Sequence, residues 1–249
     1  MEKSRWQLIV AMGLVVLSAV FYFLHYLIFR DAHHIFLYLL GDVAFVFIEV
    51  LLVSLIIHEL LNQREKRTRF EKLNMVIGIF FSEVGTKLLN FISARDPHLQ
   101  ERIEDLLAKE GWSEKTFSTL REHLNRHDYR LAEIQREGLS QLKALLREKR
   151  DFLLRLLENP NILEHESFTS VLRAVFHLAE ELDYREDFES LPHSDRTHLA
   201  GDIGRVYKFL AHQWLFYMQY LERNHPYLFS LSIRMNPFDR NASPIVKES

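Results

Sequence analysis

Two long apolar runs open the chain. Trp6 to Phe29 gives 24 residues without a charged side chain, and Ile35 to Leu61 follows after only Arg30, Asp31, Ala32, His33 and His34. A helix rising about 1.5 Å per residue needs roughly 20 residues to cross a ~30 Å hydrocarbon core, so each run is long enough to span with some tilt. A cleaved signal has an apolar stretch of about 7–15 residues and a small-residue cleavage site. The first run is longer and ends in bulky Phe21, Tyr22, Phe23, His25 and Tyr26, so it reads as a retained span. Five intervening residues cannot carry the chain back across a bilayer, so the two spans are expected to form an antiparallel hairpin.

Beyond Leu61 the pattern is amphipathic and helical throughout. Asn62 to Lys72 holds neither Gly nor Pro, which predicts that the second helix continues past the apolar run. Met75 to Ile92 is apolar but interrupted by Ser82, Glu83 and Lys87, and it reads as an interfacial or domain-core helix rather than a third span. Further helices are predicted over Pro97 to Lys109, Ser113 to about Arg126, Tyr129 to Glu158, Ser167 to Leu182 and Ser194 to about Arg223. A last apolar segment, Tyr227 to Ile233, leads to Asn236-Pro237-Phe238. No strand pattern of useful length interrupts them. The expected fold is all-α: a transmembrane helical hairpin over 1–61 with spans at about 6–29 and 35–61, a juxtamembrane helical connector over 62–95, a cytoplasmic helical bundle over 96–238, and a disordered tail over 239–249.

Charge sharpens this division. Only eight of the first 61 residues are charged, leaving 28 basic and 29 acidic residues for the remainder. Lys3 and Arg5 precede the first span, and Arg64, Lys66, Arg67, Arg69 and Lys72 follow the second, whereas the connection holds Arg30 alone. Positive charge stays on the cytoplasmic side, so both chain ends are expected there, in a multi-pass protein of the inner or plasma membrane. The basic cluster reads first as a stop-transfer signal, with contact of Arg64, Lys66, Arg67 and Arg69 to anionic headgroups as the functional alternative.

The absence of cysteine excludes a disulfide framework and thiolate metal sites. A net charge of −3 and the lack of a Gly-rich phosphate loop argue against nucleic-acid binding. No nucleophile elbow, His-Glu-x-x-His or dinucleotide fingerprint occurs, and the balance falls against an enzyme.

Two groups of residues remain as candidate chemistry. Asp42 and Glu49 lie inside the second apolar run, where a charge costs about 2.5–3.5 kcal/mol on insertion scales. Seven positions apart, they share one helix face. Depth matching sets Tyr22, with His25 one turn away, against Asp42, while Glu49 finds no partner in its own hairpin. A homo-oligomer that gathers the Glu49 face is expected, either as a cation or proton path or as a protonated structural clasp. The second group is His177 with Glu180 and Glu181, and His198 with Asp202. If two antiparallel helices bring these together they offer nitrogen and oxygen ligands to a divalent metal, although solvated faces and caps account for such spacings more often. Three functions follow: a membrane protein that conducts or senses a cation through the Asp42/Glu49 face with the body as gate, a membrane-tethered interaction module, or a membrane-anchored metalloenzyme.

Overall fold

A computed structural model describes residues 2–96, 99, 112–131, 134–163 and 165–246. Among the described residues the protein is all-helical. It divides into two units, Met1–Arg67 and Thr68–Ser249.

In the first unit, α1 (Glu2–Phe29) and the start of α2 (Ala32–Phe80) are joined by Arg30 and Asp31 alone, a tighter connection than the five residues expected. Arg30 takes the left-handed conformation (φ 55°) that ends α1. The Asp31 carboxylate then caps α2, its Oδ1 accepting from the backbone N–H of His33 (2.9 Å) and His34 (3.2 Å). The cap draws both histidines into the helix. Both helices include stretches long and apolar enough to cross a membrane. Between the two helices His25 and His34 meet ring to ring at 5.7 Å.

The second unit has one hydrophobic core. Its first wall is the end of α2, where Leu73, Ile77 and Phe80 are buried, followed by a π-helical turn, Phe81–Gly85, and α3 (Thr86–Ser93). Phe80 and Phe81, at the start of the π turn, are both buried, with their rings 5.5 Å apart. The segment from Met75 to Ile92, read as connector or core, thus supplies Ile77, Phe80, Phe81, Val84, Leu88, Leu89 and Ile92 to the core.

Among the described residues the unit continues with α4 (Glu114–Arg126), α5 (Arg136–Glu148), α6 (Arg150–Leu157), the short α7 (Pro160–Leu163), α8 (Glu166–Asp183), α9 (His193–Asn224) and α10 (Pro226–Arg234). A reciprocal Ser113–Thr116 capping box starts α4. The helix expected over 97–109 falls outside the described residues apart from the buried Leu99. The single helix expected from Tyr129 to Glu158 is instead a loop and two helices. Asp128 turns the chain by accepting from the Arg130 N–H, and Lys149 leaves helical geometry (φ −97°, ψ 5°) with its ammonium 3.1 Å from Glu83.

The 32-residue α9 is the central element, burying Leu199, Ile203, Tyr207, Leu210, Trp214, Met218 and Leu221 at spacings of three and four. At Gly204 it passes so close to the Tyr129 backbone that an added Cβ would lie 2.6 Å from the carbonyl oxygen. The closing Asn236-Pro237-Phe238 is a plug. The Pro237 carbonyl accepts from Asn90 Nδ2 (3.2 Å) and Ser93 Oγ (3.0 Å), and the buried Phe238 ring meets Trp214 at 5.2 Å. Residues Asp239 to Ser243, read as part of a disordered tail, form hydrogen-bonded turns anchored on Asn236 and Arg234.

Candidate metal centre

α8 and α9 are joined by the loop 184–192 and pack against each other. His177 faces Asp202 and Glu181 faces His198, so their register is antiparallel. Each helix presents one histidine and one acid four residues later, His177 with Glu181 and His198 with Asp202. The two ends of each pair lie on one helix face one turn apart. Glu180, at the third position after His177, is half-buried and makes no ion pair here, because the α9-facing side of α8 falls at positions 177 and 181.

The four side chains form a ring in which base and acid alternate. His177 Nε2 lies 3.5 Å from Asp202 Oδ2 and 3.9 Å from Glu181 Oε1. His198 Nε2 lies 3.3 Å from Asp202 Oδ2 and 3.8 Å from Glu181 Oε2. A tetrahedral ion with bonds of about 2.0–2.2 Å has ligand-to-ligand edges of about 3.3–3.6 Å. The two Asp202 edges fall in that range, and the two Glu181 edges exceed it by a few tenths of an ångström. His177, Glu181 and Asp202 also each offer a donor atom within 4.8 Å of the others.

Arginines outside the ring set its electrostatics. Asp202 is the floor, its side chain 3% exposed, and Arg205 donates to its Oδ1 at 2.8 Å. Its other oxygen, Oδ2, is buried without a hydrogen-bond partner and lies between the two imidazoles. A buried carboxylate oxygen left unpaired is costly, and a cation is the partner that best offsets the charge. Arg185 fixes the other acid, donating to Glu181 Oε2 at 2.8 Å while its remaining edge grips Asp195 at 2.7 and 2.8 Å. The Arg185 hydrogen bond holds Glu181 below the usual carboxylate range, with the nearby His177 and His198 contributing less. The same guanidinium lowers Asp195, and Asp195 in turn leads the causes that raise Arg185. Glu181 therefore stays ionised as a charge partner and is a weak proton acceptor. The imidazoles form the rim, 47% and 52% exposed, so the ring opens to solvent.

Spacing alone finds the His198–Asp202 pair, but on α8 it sets His177 with Glu180, with Glu181 only beside them. Spacing does not point to Arg185 and Arg205, although they follow by four and three positions the acids they fix. A second buried network was also missed. Asp96 receives His127 Nε2 at 2.7 Å and the Tyr207 hydroxyl at 3.0 Å, tying the end of α3, the end of α4 and α9 together. Burial, followed by the Asp96 charge, pushes the Tyr207 and Tyr129 phenols up.

In the first unit, Asp42 and Glu49 are exposed on α2 with no hydrogen bond or ion pair among the described residues. Tyr22 and His25 make no hydrogen bond to Asp42. His25 instead packs on Phe29 and His34, with its Nε2 buried and unpaired. Arg64, Lys66, Arg67 and Arg69 are exposed along α2.

Comparison with known proteins gives a lineage. Residues 2–61 match a family described as "MJ1433, N-terminal helical domain", and residues 69–234 match "Uncharacterized protein MJ1433, C-terminal helical domain". These ranges respect the division between the two units. "Uncharacterized protein MJ1433" of Methanocaldococcus jannaschii is 49% identical over 249 residues, covering 100% of this chain and 99% of the relative. No solved structure matches the chain. Two domain matches and one full-length relative place the chain in the MJ1433 family.

Proposed function

We propose that the protein is a membrane-tethered, divalent-metal-binding protein whose site is the α8/α9 ring of His177, Glu181, His198 and Asp202. The tether is the two apolar helices, arranged as an antiparallel hairpin with both chain ends on the cytoplasmic side, which the flanking Lys and Arg residues support. The observation that carries the metal reading is Asp202 Oδ2, a buried carboxylate oxygen that accepts no hydrogen bond and lies within 3.5 Å of two imidazole nitrogens. Mixed nitrogen and oxygen donors favour zinc, cobalt, iron or manganese over calcium or magnesium.

The test is titration of the full-length, detergent-purified chain with Co²⁺, followed by its visible absorption. One equivalent is expected to bind. Asp202→Asn, which keeps the size of the side chain, and His198→Ala, on the solvent side, are each expected to weaken binding by about 10–100-fold or more. Wild-type affinity in both variants, with the helical circular dichroism unchanged, would remove the proposal.

The unpartnered Asp42 and Glu49 favour a second reading, in which an oligomer carries or senses a cation along that face of α2. Cation flux in proteoliposomes that disappears in Glu49→Gln supports it. Flux equal in both proteins, with the oligomer intact, excludes it.

A further inference from the structure

The ring is not symmetric, and its asymmetry bears on what binds the ion from the solvent side. The Asp202 edges, at 3.3 and 3.5 Å, fit direct ligation. The Glu181 edges, at 3.8 and 3.9 Å, are longer, and Glu181 Oε2 is already engaged by Arg185. His177, Glu181 and Asp202 have donor atoms within 4.8 Å of one another, and a site of three protein ligands, with Glu181 shared with Arg185, leaves an outward coordination position. Zinc-type sites with three firm protein ligands fill that position with water or an exogenous ligand.

Charge identifies the ligand. Around the ring Glu181, Asp195 and Asp202 carry three negative charges, and Arg185 and Arg205 carry two positive ones. With neutral imidazoles this sums to −1, and a divalent ion takes it to +1. Arg173 raises it further. It lies one turn before His177 on α8, is exposed, and has no hydrogen bond or ion pair among the described residues. In the antiparallel register that pairs 177 with 202, position 173 falls opposite the turn of α9 that holds Arg205. Arg205 spends NH1 on Asp202 and is 55% exposed, which leaves the rest of its fork for solvent. Two guanidiniums at one end of an open metal site suit an anion with several acceptor oxygens, which planar forks bind through paired hydrogen bonds.

Resting on the metal reading above, we propose that the outward position takes a phosphate dianion, held by the metal and by Arg173 and Arg205. The test uses the full-length protein in detergent, loaded with Co²⁺ and titrated with inorganic phosphate, read by the visible bands of the cobalt and by calorimetry. Phosphate is expected to shift the cobalt bands and to bind at least about tenfold more tightly to the loaded than to the metal-free chain. Arg173→Gln is expected to keep its cobalt affinity, because Arg173 makes no hydrogen bond or ion pair to the four ring residues among the described residues, and to lose about tenfold or more in phosphate affinity. An unchanged cobalt spectrum, equal phosphate binding with and without metal, or wild-type phosphate affinity in Arg173→Gln would each overturn the inference and leave the metal reading standing. A chain that takes up no cobalt overturns both.

Discussion

At the scale of single residues, Asp202 and Arg185 carry the argument from opposite sides. Asp202 is buried with one oxygen unpaired, so an ion that binds only the folded state should stabilise it by mass action, by about 2.7 kcal/mol at a hundredfold excess over the dissociation constant. A rise in the body's thermal midpoint with added Zn²⁺, absent in Asp202→Asn, is the expected outcome of differential scanning calorimetry. Arg185 sets a pH dependence. Glu181 and Asp195 are both depressed in the folded state, first of all by their hydrogen bonds to Arg185. Their stabilisation is therefore fully present above the ordinary carboxylate values near 4 and is lost as pH falls through the lower folded values. Arg185→Gln should lose that contribution, so its acid unfolding midpoint, followed by circular dichroism, should move to higher pH. The pairing of His198 with Asp202 was legible because four-residue spacing on a helix is local information. The pairing of His177 with Asp202, and the exclusion of Glu180, depend on how α8 and α9 register, which spacing within one helix does not contain.

Among the elements, the helices legible in the sequence were those whose burial stripe is continuous. The expected spans of 167–182 and 194–223 differ by a residue or so at each end from α8 and α9. The 129–158 segment misled because its apolar positions run at helical spacing back to Leu131, whereas the Tyr129 backbone lies against Gly204 outside any helix. That close passage explains the failure and supports a prediction. A methyl at position 204 would press on the Tyr129 carbonyl, so Gly204→Ala should destabilise the body by about 1–3 kcal/mol, read from chemical denaturation. The Asn236-Pro237-Phe238 plug is the opposite case. The sequence marked it as unusual, but its role depends on Trp214, Asn90 and Ser93 meeting in space. Phe238→Ala should cost about 3 kcal/mol or more, as for other fully buried phenylalanines, with a matching fall in the denaturation midpoint.

For the whole molecule, composition already separated an apolar front from a charged remainder, and the structure and the family matches divide the chain in nearly the same place. The sequence could not assign 62–95 to either part, because an apolar stretch interrupted by charge looks alike whether it lines a core or a membrane surface. Burial of Ile77, Phe80, Phe81, Val84 and Leu88 assigns its second half to the body.

Gly204 sits two residues from Asp202, in the stretch of α9 wedged against the Tyr129 backbone and pinned by Tyr207 to Asp96. Sliding or rolling of α9 there would force a clash or break that bond, so the inner carboxylate is a fixed anvil. Adjustment to an incoming ion is left to the imidazoles, which can swing on the solvent side. If the proposed site binds metal, discrimination among ions of different radius falls to histidine rotamers, at little cost in backbone movement.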